Sequence, residues 1–239
     1  MTHCRCVTPA PTHEVLWARP SAPEALDQYR VLRTRIGRRD ARVIVVTSPG
    51  MGDGKSFTSV NLAGSMALLR DSRVLLIDGD MRRSTVHRML GIPAAPGLSE
   101  VLAQKASLDD AIAGIDLLPN LSVLTAGDSP LNATELLDSQ TWVDLAARCR
   151  EEFDCIVIDA PPNIGVADYD LAEMVSDGVL LVIRPGHTDR LRAFEAAERI
   201  PVQKRLGAVL NDARDWLFWK TDNYYYGAGA RSSRTAARS

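Results

Sequence analysis

The run Arg42-Val43-Ile44-Val45-Val46-Thr47 passes directly into Ser48-Pro49-Gly50-Met51-Gly52-Asp53-Gly54-Lys55-Ser56, and no other stretch constrains the fold as much. The first half is β-branched and apolar, the pattern of a strand buried on both faces. The second half carries glycine at alternate positions and then becomes helical to about Arg70. Phe57, Val60, Ala63 or Gly64, and Ala67 fall on the face expected to meet a sheet. A doubly covered strand followed at once by a helix belongs to a parallel α/β sheet. The glycines let successive backbone N–H groups curl inward, and the helix start adds the positive end of its dipole.

The junction matches G-x-x-x-x-G-K-[ST] except that Pro49 holds the first glycine position. It predicts binding of a nucleoside triphosphate by Gly50, Met51, Gly52, Asp53, Gly54, Lys55, Ser56 and Phe57. Lys55 would reach the β- and γ-phosphates and Ser56 would ligate Mg²⁺. A glycine-rich turn with no ligand is the bland alternative, and the Gly-Lys-Ser ending weighs against it.

Two more apolar strands end in acids. Val74 to Asp78 leads into Asp78-Gly79-Asp80-Met81-Arg82-Arg83, and Cys155 to Asp159 leads into Ala160-Pro161-Pro162. Ligands of open α/β sheets bind at the carboxyl ends of strands. Thr47, Asp78 and Asp159 are thereby expected at one rim. A carboxylate there can hold Mg²⁺, and a second can orient or deprotonate a hydroxyl. Turn capping is the competing role for any one of these aspartates alone. Further strands are expected at Leu121 to Thr125, Val179 to Arg184 and Ala208 to Leu210, with helices at Pro23 to Arg39 and Thr141 to Glu152. The fold class is an α/β, mostly parallel sheet with helices on both faces.

The chain of 239 residues fits one such domain with ends to spare. Residues 1–22 read as a flexible lead-in, 23–220 as the domain, and 221–239 as a tyrosine cluster with a flexible tail. A formal charge of −2 argues against bulk capture of nucleic acid. The apolar runs fall short of the roughly 20 residues of a membrane span, and the N-terminus lacks a secretory pattern, so a cytoplasmic protein is expected. Cys4, Cys6, Cys149 and Cys155 are expected as free thiols, with Cys155 a small core residue. Tyr224-Tyr225-Tyr226 sits between polar Thr221-Asp222-Asn223 and Gly227-Ala228-Gly229, which favours exposure. Trp216, Phe218 and Trp219 upstream favour packing instead.

Taken together these segments resemble the bacterial tyrosine kinases of capsule and exopolysaccharide synthesis, over roughly Pro23 to Gly227. T-S-P-G-M-G-D-G-K-S resembles their Walker A segment, L-L-I-D-G-D-M-R-R their Walker A′ motif and F-D-C-I-V-I-D-A-P-P their Walker B. Ala126-Gly127 with Asn132 to Leu137, and Gly207 to Asn211, are weaker matches. The resemblance implies the P-loop fold, ATP and Mg²⁺ as cofactors, and a protein-tyrosine autokinase. Lys55, Asp78 and Asp80 take the catalytic positions, Ser56, Asp78 and Asp159 the metal positions, and Asn211 lies near the adenine. Tyr224, Tyr225 and Tyr226 match the acceptor cluster phosphorylated by a neighbouring subunit. Asp27, Arg30 and Arg33 match a helical segment that packs between subunits of a ring, with Asp27 in place of glutamate. Ser84 stands where many relatives have proline.

The resemblance also implies a separate transmembrane activator or polysaccharide chain-length protein that recruits the kinase to the inner membrane face. A cognate phosphotyrosine phosphatase is implied as a further partner, and nucleic acid is not. Two other readings remain: a partition-type switch ATPase, in which many members carry lysine where this chain has Gly50, and a nucleotide-binding regulator with little turnover.

Overall fold

The structure, a computed structural model, describes residues 5–12, 15–18 and 23–213. Its strands are β1 (Arg5–Val7), β2 (Val43–Thr47), β3 (Val74–Asp78), β4 (Ile112–Ile115), β5 (Leu121–Leu124), β6 (Cys155–Asp159), β7 (Gly178–Ile183) and β8 (Arg205–Leu210). They form one eight-stranded sheet in the order β1-β4-β5-β3-β6-β2-β7-β8. The β4–β5 pair is antiparallel and the other pairs are parallel. The expected α/β class, mostly parallel with helices on both faces, is what the chain adopts.

The helices are α1 (Pro23–Ile36), α2 (Lys55–Ala67), α3 (Val86–Leu90), α4 (Leu98–Leu102), α5 (Leu108–Ala111), α6 (Ala133–Leu137), α7 (Gln140–Glu152), α8 (Ala167–Met174) and α9 (Arg190–Arg199). Alternation along the central strands divides the core. Val43, Val45, Leu75, Ile77, Ile156 and Ile158 face the layer built by α4 to α9. Ile44, Val46, Leu76, Val157 and Leu180 face α1, α2 and α3. Both faces are covered, so β2 and β3 are buried at every position. That is why these strands read as continuous apolar runs. Among the described residues no helix is long and apolar enough to cross a membrane.

Two features of the packing add to the sequence reading. Among the described residues before α1, β1 adds to the sheet edge beside β4, Val15 is fully buried, and Leu16 N–H donates to Asn61 Oδ1 at 2.7 Å. Trp17 lies over Gly64, where an added β-carbon would come within 2.1 Å of its ring. A three-residue edge strand is too short to show any period, so the pattern could not reveal it. Helix α2 is buried at every residue from Thr58 to Ala67. The N-terminal segment and α1 cover its outer side. Its buried polar residues are partly satisfied locally, as where Asn61 Nδ2 donates to Phe57 O at 2.9 Å.

Strand β4 and the short helices α3 to α6 have no counterpart in the expected elements, nor do α8 and α9. The expected strand at Ala208 begins three residues earlier, at Arg205. Cys155 and Cys149 are free thiols, and burial pushes both up to about 12.

Candidate active site

The site grows from the order in which strands meet at the centre of the sheet. Strand β6 lies between β2 and β3, with Asp159 opposite Asp78 on one side and Val46 on the other. The phosphate loop leaves β2, so two carboxylates meet beneath it at the carboxyl rim. This juxtaposition matches the expectation from strand-end residues.

The loop itself is held open for a ligand. Gly52 and Gly54 have φ of +81° and +95°, values that side chains disfavour. Helices α5, α7 and α9 start with side chains of Ser107, Ser139 and Asp189 accepting their first N–H groups. Helix α2, by contrast, follows Gly54, and among the described residues no side chain caps its start. Its first-turn N–H groups, which a helix leaves without partners of its own, are the donors an anion needs.

Lys55 Nζ lies 2.8 Å from Asp80 Oδ2, and these side chains are only 12% and 5% exposed. Burial works to lower the Lys55 pKa, but Asp159, Asp80 and Asp78 together outweigh it, so the net shift is upward. Asp78 is fully buried and pushed up to about 8, first by loss of solvent and then by the charge of Asp159. Asp78 Oδ2 accepts from Thr85 and Val86 N–H, both at 3.2 Å, and Oδ1 from Asp80 N–H at 3.3 Å. Burial also raises Asp159, against the pull of Lys55.

Ser59 Oγ donates to Asp159 Oδ1 at 3.0 Å, while Asp159 Oδ2 is buried and, among the described residues, has no hydrogen-bond partner. That bare oxygen, with the Ser56 hydroxyl close by, suits a bound cation or its water. Among the described residues no three His, Cys, Asp or Glu side chains make a metal cluster by themselves. Magnesium would thus draw part of its coordination from phosphate and water, as it commonly does.

Next to the loop is a cavity of about 1020 Å³ lined in part by Tyr29, Leu32, Gly54, Phe57, Arg184 and Asn211. Asn211 Nδ2 donates to Asp53 O at 3.0 Å, which ties the end of β8 to the loop. In α1, Asp27 pairs with Arg30 at 2.6 Å, and Arg33 donates to Ser65 O of α2. Tyr224, Tyr225 and Tyr226 lie outside the described residues.

Several contacts had no motif to announce them. Arg82 Nε lies 2.9 Å from Asp168 Oδ2, whose side chain is only 3% exposed, and a second Arg82 nitrogen donates to Thr134 Oγ1 at 2.8 Å. The loop after β7 brings His187 and Thr188 against the phosphate loop. Ser59 alone had a readable signal, one helical turn after Ser56.

A doubly covered sheet with this strand–loop–helix at its rim defines the class, a P-loop NTPase. The AAA domain family model matches residues 41–193. The tyrosine-protein kinase YwqD of Bacillus subtilis is 36% identical over 207 residues, 84% of this chain and 86% of that protein. The tyrosine-protein kinase ptk of Acinetobacter johnsonii is 35% identical over 83% of this chain, which spans only 28% of that longer protein. The kinase domain of the Escherichia coli tyrosine kinase ETK superposes with a TM-score of 0.75 at 27% identity, over 90% of this chain and 82% of that one. The chain belongs to the bacterial tyrosine-protein kinases.

Proposed function

We propose that the chain is an ATP-dependent protein-tyrosine autokinase that transfers the γ-phosphate to Tyr224, Tyr225 and Tyr226 of a neighbouring copy. The observation that carries this reading is the meeting of Lys55 with Asp78, Asp80 and Asp159 under an uncapped helix start. Phosphoryl transfer asks mainly for positioning and charge stabilisation, and these residues offer both. The uncapped N–H groups of α2 and the Lys55 ammonium bind the phosphates and take up charge as it shifts. Ser56 and Asp159 would hold Mg²⁺, which would neutralise phosphate charge. Asp80 orients the acceptor hydroxyl and takes its proton, and its 2.8 Å contact with Lys55 keeps it in reach of the phosphate site. Asp78 is engaged by three backbone N–H groups. It fixes the Asp80 turn and, with Mg²⁺ bound, would help hold the cation.

The cavity beside Asn211 accommodates the nucleoside. Tyr224, Tyr225 and Tyr226 take phosphate from a second subunit, and each phosphate adds about −1.5 to −2 charge. Accumulated charge would loosen a ring packed through Asp27 and Arg30. Arg33, engaged by Ser65 in its own chain, supports that interface by holding α1 to α2. A transmembrane activator brings the kinase to the inner membrane face, a phosphatase resets the tail, and the cycle regulates exopolysaccharide or capsule polymerisation and export.

The test is incubation with Mg²⁺-ATP followed by mass mapping of phosphosites. Wild type should carry phosphate on the triplet, and Lys55→Met should carry none. A variant with Tyr224, Tyr225 and Tyr226 changed to Phe that still gains phosphotyrosine in equal amount would refute the assignment of acceptors.

A further inference from the structure

The phosphate loop is braced from outside by the loop that follows β7. Asp53 is 1% exposed, and its two carboxylate oxygens have different donors. Oδ2 accepts from Gly50 N–H at 2.9 Å, closing the loop on itself. Oδ1 accepts from Thr188 Oγ1 at 2.6 Å. Thr188 Oγ1 in turn accepts from Arg184 N–H at 2.8 Å, at the end of β7. A chain of hydrogen bonds thus runs from the sheet, through one hydroxyl, to the carboxylate that shapes the loop. His187 completes the brace: its Nε2 is 3.1 Å from Met51 O, and a β-carbon on Gly52 would come within 3.1 Å of it.

We infer that Thr188 is a positioning residue for nucleotide phosphates, acting through Asp53. A buried carboxylate needs donors for its oxygens. With Thr188 in place, Asp53 holds Gly50 N–H and sets the turn that presents Gly52, Gly54 and the start of α2. Without the hydroxyl, Asp53 Oδ1 loses its donor from the β7 side. The carboxylate then turns towards water or competes for the loop N–H groups meant for phosphate. The Thr188 methyl group has no part in this, so the hydroxyl alone should matter. The inference rests on the loop being a nucleotide site, and the experiment separates the two claims.

The measurement is the affinity of the full chain for a fluorescent ADP analogue with Mg²⁺, alongside urea unfolding without nucleotide. Wild type should bind, and a wild type that fails to bind overturns the nucleotide site itself. Thr188→Val should bind about ten-fold more weakly, about 1.4 kcal/mol, and Thr188→Ser should restore wild-type affinity. Asp53→Asn should also weaken binding, and adding Thr188→Val to it should cost little more, because both changes break one link. Should Thr188→Val fail to fold, Thr188→Ala takes its place. Wild-type affinity in Thr188→Val, a Thr188→Ser variant as weak as Thr188→Val, or fully additive losses would each overturn the role of the hydroxyl.

Discussion

Replacing Gly54 with alanine tests the geometry of the loop with one methyl group. Two costs are readable. Gly54 has φ of +95°, and a side chain in the left-handed region costs about 1–2 kcal/mol. The new β-carbon would also lie 1.8 Å from Asn211 Nδ2 and 2.8 Å from its Cγ. Asn211 must therefore swing away and give up its 3.0 Å hydrogen bond to Asp53 O, worth about 1 kcal/mol. Together Gly54→Ala should destabilise the protein by about 2–3 kcal/mol. Urea unfolding without nucleotide measures it. Asn211→Ala alone should cost about 1 kcal/mol. The double variant should cost about the same as Gly54→Ala, because the clash and the bond both involve the Asn211 side chain. The cycle should thus show a coupling of about 1 kcal/mol. A Gly54→Ala variant within about 0.5 kcal/mol of wild type, the range of neutral surface changes, or a cycle with no coupling, would refute this reading of the turn.

Other substitutions probe the charges. In metal- and nucleotide-free protein, Asp78 is pushed up to about 8 in the fold from an ordinary value near 3.8. A raised pKa favours folding below the ordinary value, and that advantage is lost as pH rises through 8. Unfolding free energy should fall between pH 5 and 8 by on the order of a few kcal/mol, and Asp78→Asn should flatten the decline. Lys55→Met should lower the rate of phosphoryl transfer by more than about 100-fold, leaving no detectable radiolabel on the chain. Arg82→Met removes a charged partner from buried Asp168 and should cost about 2 kcal/mol in urea unfolding.

The central strands were legible because burial on both faces leaves unbroken apolar runs, and a strand-end acid such as Asp78 stands out against them. The phosphate loop was legible because its glycines serve backbone geometry. Strands β1 and β4 were not: a three-residue edge strand and a four-residue strand centred on Ala113 and Gly114 show too little apolar period to detect. Asp168 and Thr188 were hidden for another reason. Each meets its partner across a long sequence separation, and nothing local marks an aspartate or threonine for that role. Asn211 was found only through the G-x-V-L-N resemblance; its hold on Asp53 is a tertiary fact. Tyr224, Tyr225 and Tyr226, the proposed acceptors that the sequence singles out, lie outside the described residues, and phosphosite mapping tests them.

The fate of the γ-phosphate tests the central claim most directly. Full chain incubated with Mg²⁺ and γ-labelled ATP, together with a membrane-activator fragment once identified, should carry label as phosphotyrosine. Lys55→Met should carry none. Label that appears only as inorganic phosphate, with no phosphotyrosine in wild type, would contradict the kinase reading and leave a switch ATPase in its place.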